Sequence, residues 1–367
     1  GGWASLTTSV YGLDRGVPPE AHQDRPRFWR YPKQNRVLVA LSGGSGEQET
    51  VTGVRSFEFG FGFDAGSSQI DRYETESFST VNGGEEADDQ TITLRARGDH
   101  TLGTRGDLRS AFTFSRVGRD EVVNGGDVAS YRQRLWGFGI ESEWKMGDRD
   151  ATRFSLGAAF DGSDTPQSGD KPPLNGLSDF GFRAGISSLI QDGLVLHANF
   201  SRRSRFPSLR ELYSGALGRF VPNPDLGAET LLGSEGGLTL GADDSSLQVV
   251  GFYQRLKNGI VRSSVVGIDG IPRFKRINHE RVKSVGIEVL AVRTMGLATL
   301  SGDLTIQDVT GIDQKGLRVQ LEYEPTIAGR VGVETPLGDV FRASGTLRFM
   351  GNQMCENPEI GGLQNSG

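Results

Sequence analysis

The sequence predicts an all-β fold, specifically a transmembrane antiparallel β-barrel, and three observations carry that prediction. Apolar and polar side chains alternate with a period of two over most of the chain. Glycine is abundant inside the alternating segments, 53 of 367 residues, roughly twice ordinary usage. Connections between segments alternate between short and long, which is how an outer-membrane barrel sorts its two rims.

The alternation is clear in several places. Phe57, Phe59, Phe61 and Phe63 alternate with Glu58, Gly60, Gly62 and Asp64. Trp136, Phe138, Ile140, Trp144 and Met146 share one face, with Gly137, Gly139, Glu141, Glu143 and Lys145 on the other. Phe154, Leu156, Ala158 and Phe160 form a third such row, and Leu194, Leu196, Ala198 and Phe200 a fourth. An amphipathic helix would need apolar residues at steps of three and four, which these segments lack.

Taken in order, the segments fall near 2–11, 33–42, 53–77, 90–101, 106–117, 129–146, 151–162, 179–190, 194–204, 229–241, 246–262, 273–292, 297–309, 317–334 and 339–350. One further split among them brings the expectation to about 16 strands. Short turns are expected at Leu102–Gly106, Gly147–Asp150, Gln191–Gly193, Ala242–Ser245, Arg293–Gly296 and Thr335–Asp339. Long polar loops are expected at Gly12–Phe28, Thr80–Asp89, Val117–Val128, Gly162–Ser178, Arg205–Ala228 and Ser263–Pro272.

The physical case for a barrel is direct. Lipid offers no hydrogen-bond partner, so every strand edge within it must be paired. Alternate residues then face acyl chains or a polar lumen, which leaves the average composition at only 35% hydrophobic. Trp144 is expected in an interfacial aromatic girdle, with Phe252 and Tyr253 as further contributors. A net charge of −6 with both signs mixed points away from nucleic acid.

Pattern alone does not separate a passive porin from a gated receptor. A motif does. Ser204-Arg205-Phe206-Pro207-Ser208-Leu209-Arg210-Glu211-Leu212-Tyr213-Ser214, followed by Val221-Pro222-Asn223-Pro224-Asp225-Leu226-Gly227-Ala228-Glu229-Thr230, resembles the paired motif of TonB-dependent outer-membrane receptors. The strand Gly251–Ile260 and the stretch from Asn278 to Gly286-Ile287-Glu288 are similar to two more of that family's strands. The resemblance implies active import of a scarce nutrient, most simply a ferric siderophore or other iron complex, powered through the TonB complex. A passive diffusion porin is the competing reading. The family carries a plug and a TonB-contacting box ahead of a barrel of roughly 22 strands. By that comparison residues 1–367 are expected to be the barrel portion, incomplete at both ends. No cofactor is implied, and outer-membrane lipid and lipopolysaccharide are the expected surroundings.

Candidate ligand contacts fall in two loops. Arg27, Phe28, Trp29, Arg30 and Tyr31 interleave guanidinium and aromatic groups suited to a flat or anionic ligand. Arg205 and Arg210, with Arg202 and Arg203, cluster at the mouth of the longest loop, where guanidinium forks would engage an anionic siderophore or lipopolysaccharide phosphates. The structural alternative is a set of ion pairs with Glu211, Asp225 and Glu229. Pro207, Ser208, Leu209, Glu211, Leu212, Tyr213, Asn223, Pro224, Leu226 and Glu229 are expected to act structurally. Glu85, Glu86, Asp88 and Asp89 form an acidic patch that reads as a solvated loop tip more readily than as a calcium site. The four histidines, His22, His100, His197 and His279, lack metal-ligand spacing. Gly60-Phe61-Gly62-Phe63 lacks the third glycine and following helix of a phosphate loop, and no catalytic constellation appears. Cys355, the one cysteine, is a candidate for a disulfide with a cysteine outside this sequence, since exported proteins meet an oxidising compartment.

Overall fold

The computed structural model describes residues 1–19, 26–147, 151–215, 217–266, 270, 272–312, 316–319, 321, 323–357 and 362–366. Its strands are β1 (Gly2–Val17), β2 (Phe28–Ser45), β3 (Gln48–Thr50), β4 (Gly53–Tyr73), β5 (Val81–Leu102), β6 (Gly106–Val123) and β7 (Ala129–Met146). There follow β8 (Thr152–Ser168), β9 (Leu177–Gln191), β10 (Leu194–Arg205), helix α1 (Leu209–Leu212), β11 (Phe220–Val221), β12 (Glu229–Ala242) and β13 (Ser245–Val266). The chain continues through β14 (Pro272–Met295), β15 (Ala298–Ile312), β16 (Arg318–Val319), β17 (Ile327–Leu337), β18 (Phe341–Met350), β19 (Gln353–Asn357) and β20 (Gly362–Ser366).

Among the described residues one sheet holds 18 strands. Three of them, β3, β11 and β16, are two or three residues long, which leaves fifteen long strands. Each long strand pairs antiparallel with the next in sequence, from β1–β2 through β17–β18. This up-and-down meander is the wall of a transmembrane β-barrel. Among the described residues the meander runs from β1 to β18, and β19 and β20 form a separate hairpin.

Register puts the expected rows on one face. Phe59, Phe61 and Phe63 pair with Ala96, Leu94 and Ile92, which continue to Phe112 and Phe114, then to Phe138 and Trp136. These side chains are turned outward: Phe57, Phe59 and Phe138 keep about half their surface exposed. In water that apolar face would be costly; against acyl chains it is the favourable side. Trp144 and Tyr253 lie on it as expected. Phe252 does not, because alternation turns it to the polar face, where its ring covers Gly286. The polar face carries arginine and carboxylate pairs across the strands, including Arg36–Asp64 and Arg330–Asp303.

Three expectations need correction. The segment 317–334 is not one strand: β16 is two residues long and β17 begins only at Ile327. Pro325 in the intervening stretch has no N–H to give a ladder. Most of the expected long loops are instead strand. β5 begins at Val81, β6 runs to Val123, β8 to Ser168 and β13 to Val266, so the intervening connections are short. Beyond the bilayer both faces of a strand meet polar surroundings, so the hydropathy alternation fades while backbone pairing persists. The acidic residues Glu85, Glu86, Asp88 and Asp89 accordingly lie on β5 rather than at a loop tip. Of the expected long loops, 205–228 remains a genuine irregular connection.

Candidate functional site

The segment 206–228 leaves β10 at the end of the wall opposite the short turns. It does not project outward. It folds back over the polar face and ties together strands distant in sequence.

Its first element is α1, a single turn that needs an external start signal because four residues cannot sustain a helix alone. Ser208 supplies it: its hydroxyl accepts from the Glu211 N–H, and the Glu211 carboxylate accepts from the Ser208 N–H in return, a capping box. Glu211 also accepts two hydrogen bonds from Arg205, at 2.9 and 3.0 Å. Arg205 is further paired with Glu229. The guanidinium thus joins the start of the segment to its end, the arrangement that the ion-pair alternative anticipated. Burial works to raise the Glu211 carboxyl, but the hydrogen bonds from Arg205 and Ser208 outweigh it and hold the group below its ordinary value.

The turn projects Leu209, Leu212 and Tyr213 into a small core with Leu226 and Tyr131 of β7. Leu212 and Tyr213 are fully buried, each worth about 1.5–3 kcal/mol in removal of apolar surface from water. The Tyr213 and Tyr131 rings stack at 5.5 Å with an interplanar angle of 10°. The Tyr213 hydroxyl meets the Thr165 hydroxyl of β8 at 2.9 Å and accepts from the Leu174 N–H at 2.8 Å. Gln133 of β7 donates to the Pro207 carbonyl at 2.8 Å.

Beyond Tyr213 the segment meets β5 and β6. Ser214 donates to Glu121 at 2.7 Å, and the Leu217 N–H donates to Glu85 at 3.1 Å. Both carboxylates are almost completely buried. Arg119 sits between them, 2.7 Å from Glu85 and 3.4 Å from Glu121, with Asp89 at 2.8 Å. Burying two carboxylates without that guanidinium would cost several kcal/mol.

The far half of the segment joins β14. The pair Phe220–Val221 runs parallel to Phe274–Lys275, and Asn223 donates to the Arg276 carbonyl at 2.7 Å. Asn278 clasps Gly227, accepting from its N–H at 2.6 Å and donating to its carbonyl at 2.9 Å. The same amide donates to the Asn258 carbonyl at 2.9 Å. Glu229 accepts from the Ile260 N–H at 2.6 Å. Those acceptor and donor groups are free because the β13–β14 ladder shifts register between Leu256 and Ile260, with Asn258 at φ +54°. Three motif stretches that are far apart in the sequence therefore meet at one junction.

The segment works as a fixed strap across one side of the mouth, from β5–β8 to β14. Of the residues that sequence reading named as structural, Pro207, Ser208, Leu209, Glu211, Leu212, Tyr213, Asn223, Pro224 and Leu226 lie on it, and Glu229 opens β12 at its end. Sequence reading named Glu85 only as part of a solvated acidic patch and did not find Arg119, Glu121, Tyr131, Gln133 or Thr165; alternation puts all six on the polar face but gives no sign of burial. It also missed a cationic cluster beside β11: Arg262 lies 4.5 Å over the Phe274 ring and Arg276 4.2 Å over Phe220. Arg210 is exposed and its carbonyl accepts from Arg276 at 2.8 Å.

The second candidate group, Arg27 to Tyr31, belongs largely to β2 rather than to a loop. Strand alternation divides it. Phe28 packs edge-on against Phe78 at 6.0 Å, and Arg30 makes an ion pair with Asp14 at 2.8 Å. Arg27 stacks on Trp29 at 4.9 Å, and Arg15 on Tyr31 at 4.7 Å. The side chain of Cys355 lies outside the described residues, as do His22 and the His279 side chain; Cys355 itself is on β19.

The family model "TonB dependent receptor-like, beta-barrel" matches residues 5–351. The copper transporter OprC superposes with a TM-score of 0.74 at 15% identity, over 96% of this chain and 58% of that one. The FrpB iron transporter from Neisseria meningitidis gives 0.72 at 12%, over 99% and 59%. BauA, the ferric preacinetobactin receptor from Acinetobacter baumannii, gives 0.69 at 13%, over 96% and 60%. The chain thus spans about three-fifths of the length of these structures. No curated protein sequence matches it.

Proposed function

Because the chain belongs to the TonB-dependent receptor β-barrel family, whose members are transporters and receptors rather than enzymes, we propose that it forms the barrel of an outer-membrane importer. Its cargo is a ferric siderophore or other iron complex, and the TonB complex supplies the energy. The observation that carries this reading is the strap. A passive pore is served by an open mouth, whereas here 206–228 is locked over the polar face by buried tyrosines and a buried guanidinium network. A rigid, chemically specific entrance suits capture of a scarce ligand.

Ligand contact is assigned to the groups lining that entrance: Arg27, Phe28, Trp29, Arg30 and Tyr31 on the β2 side, and Arg205 and Arg210 on the strap. Arg205 is held between two carboxylates, so it contributes mainly by position. Arg210, with Arg262 and Arg276 nearby, presents the freer positive charge, which favours an anionic complex.

The test is uptake by the full-length protein in a host lacking its own iron receptors. Radiolabelled ferric complexes of catecholate, hydroxamate and carboxylate chelators are offered with and without an uncoupler of the proton gradient. Accumulation of at least one complex that stops with the uncoupler supports the proposal. Rapid sugar flux that the uncoupler leaves unchanged would establish the passive pore instead. Energy-dependent uptake of another cargo, with no iron uptake, would keep the importer and overturn the iron assignment.

A further inference from the structure

The polar face carries a recess one pleat below the strap's anchor. Its floor is a single register row of small residues, Ala111 of β6, Gly139 of β7, Ala159 of β8 and Gly181 of β9. Three strand spacings make that floor about 14 Å wide. Arg97 of β5 extends the row on one side, as the partner of Ala111. Arg203 of β10 closes the other, next to Arg202, the partner of Phe182. Arg205, the next residue of β10 on the polar face, is already bound to Glu211 and Glu229. The recess has a volume of about 460 Å³, within the range of small-molecule sites.

Nothing in the backbone requires that floor to be bare. Gly139 has no positive φ, and a Cβ there would meet only the Ala158 carbonyl oxygen at 3.7 Å and the Ala159 methyl at 3.9 Å, ordinary contacts. A larger side chain would fit. Glycine in a strand interior weakens the strand and marks a place where another group approaches closely. The glycines one row to either side are covered, Gly137 by the Asp161 carboxylate and Gly157 by the Arg183 side chain. The walls are cationic: six arginines line the recess against two carboxylates, Glu141 and Asp161. Asp99 serves both Arg97, at 2.8 Å, and Arg109, at 3.6 Å, while Glu141 serves both Arg109 and Arg183. Arg202 is held by Asp179, and Glu58 stands across the strands from Arg97. Among the described residues Arg95 and Arg203 form no ion pair, although the charge of Asp161 reaches Arg203.

We infer that this recess is a second station on the import route, where a compact anionic metal chelate rests on the bare floor after leaving the mouth. Guanidinium forks at the rim meet the carboxylate or catecholate oxygens of the chelate. Arg95 and Arg203, with no ion pair to give up, engage first. A floor without side chains lets a rigid, rounded complex come within reach of arginines on both sides. Because Asp99 and Glu141 are each shared between two arginines, the complex competes with existing pairs and is held loosely, as onward passage requires. The inference rests on the importer reading above and adds to it a site separate from Arg210 and the β2 groups of the entrance.

The experiment separates binding from uptake for the full-length protein in a host lacking its own iron receptors, with radiolabelled ferric citrate and ferric tris-catecholate as probes. Binding is read with an uncoupler present, and uptake without it. Arg95→Gln/Arg203→Gln should leave binding at the mouth within about twofold while the maximal uptake rate falls about tenfold, through loss of charge-assisted contacts made only in transit. Gly139→Leu fills the floor and leaves every charge in place; it should act alike, and it decides if the arginine variant does not fold. Arg330→Gln, on the polar face of β17, should behave as wild type. In crystals of the full-length protein soaked with either probe, anomalous scattering should place an iron over Gly139. Unchanged uptake in both variants overturns the station, as does a mouth affinity that falls in step with the uptake rate. Another part of the full-length protein lying over the floor in those crystals would overturn it too. If wild-type cells take up neither probe, the iron assignment fails, and the soaked crystals alone decide the station: an empty floor refutes it.

Discussion

The side-chain amide of Asn278 and the backbone of Gly227 hold each other through two hydrogen bonds, 2.6 and 2.9 Å long, across 51 residues of sequence. This clasp fastens the far end of the strap to β14, and the Asn258 carbonyl accepts from the same amide. Asn278→Ala should release that end at a cost of about 1–3 kcal/mol, because Gly227 then keeps unpaired groups in a half-buried site. Limited proteolysis should show new cleavage near 218–228 while the heat-stable barrel band survives. Unchanged protection would show that β11 alone secures the strap.

Arg119 is the counter-charge for three carboxylates, two of them buried. Replacing it with Leu should cost about 3–5 kcal/mol, the usual result of stranding a buried charge. The expected readout is a lower unfolding temperature and loss of strap protection. Replacing Glu85 and Glu121 with Gln in the same chain should restore much of the loss, since the stranded negative charges are then removed.

The Glu211 carboxyl is held below its ordinary value of 4.5. A carboxyl whose folded value lies below its unfolded value contributes stability that is present above the unfolded value. That contribution is lost as pH falls through the folded one. Proteolytic protection of the strap, followed with an acid-active protease, should therefore fall as pH drops below 4.5. In Glu211→Gln the loss should be present at neutral pH and this part of the pH dependence absent.

Gly286 lies under the ring of Phe252, and a methyl group there would come within 2.6 Å of that ring and 2.5 Å of the Ile306 carbonyl oxygen. Gly286→Val should displace the ring and strain the β14–β15 ladder, at about 1–3 kcal/mol. Thermal unfolding measures it. The double variant Gly286→Val/Phe252→Ala should recover part of the loss by vacating the space.

Much of the fold is legible in the sequence because lipid imposes a period of two. Rows such as Phe57 to Phe63 or Trp136 to Met146 suit a strand with one lipid-facing side and fit no helix, and the fifteen long strands follow the segments read from them. Five of the six short turns were legible too, each lying where one alternating row stops and the next begins; of the sixth, 147–150, residues 148–150 lie outside the described residues. Beyond the bilayer the signal disappears. Val81 to Asp89 and Val117 to Val123 look like loop, yet their backbone groups pair as well as any in the wall.

The strap divides in the same way. Its local chemistry is in the sequence: Ser208 and Glu211 three residues apart announce a capped turn, and Arg205 with Glu211 and Glu229 announces an ion-pair set. That Glu85, Arg119 and Glu121 would be buried beneath it, and that Tyr131 would stack on Tyr213, depend on which strands the segment crosses. Sequence determined the period, the turns and the caps, because those arise from neighbours along the chain. Only the tertiary structure decided which charges lose water and which partners they gain, because burial is set by segments tens of residues apart meeting in space.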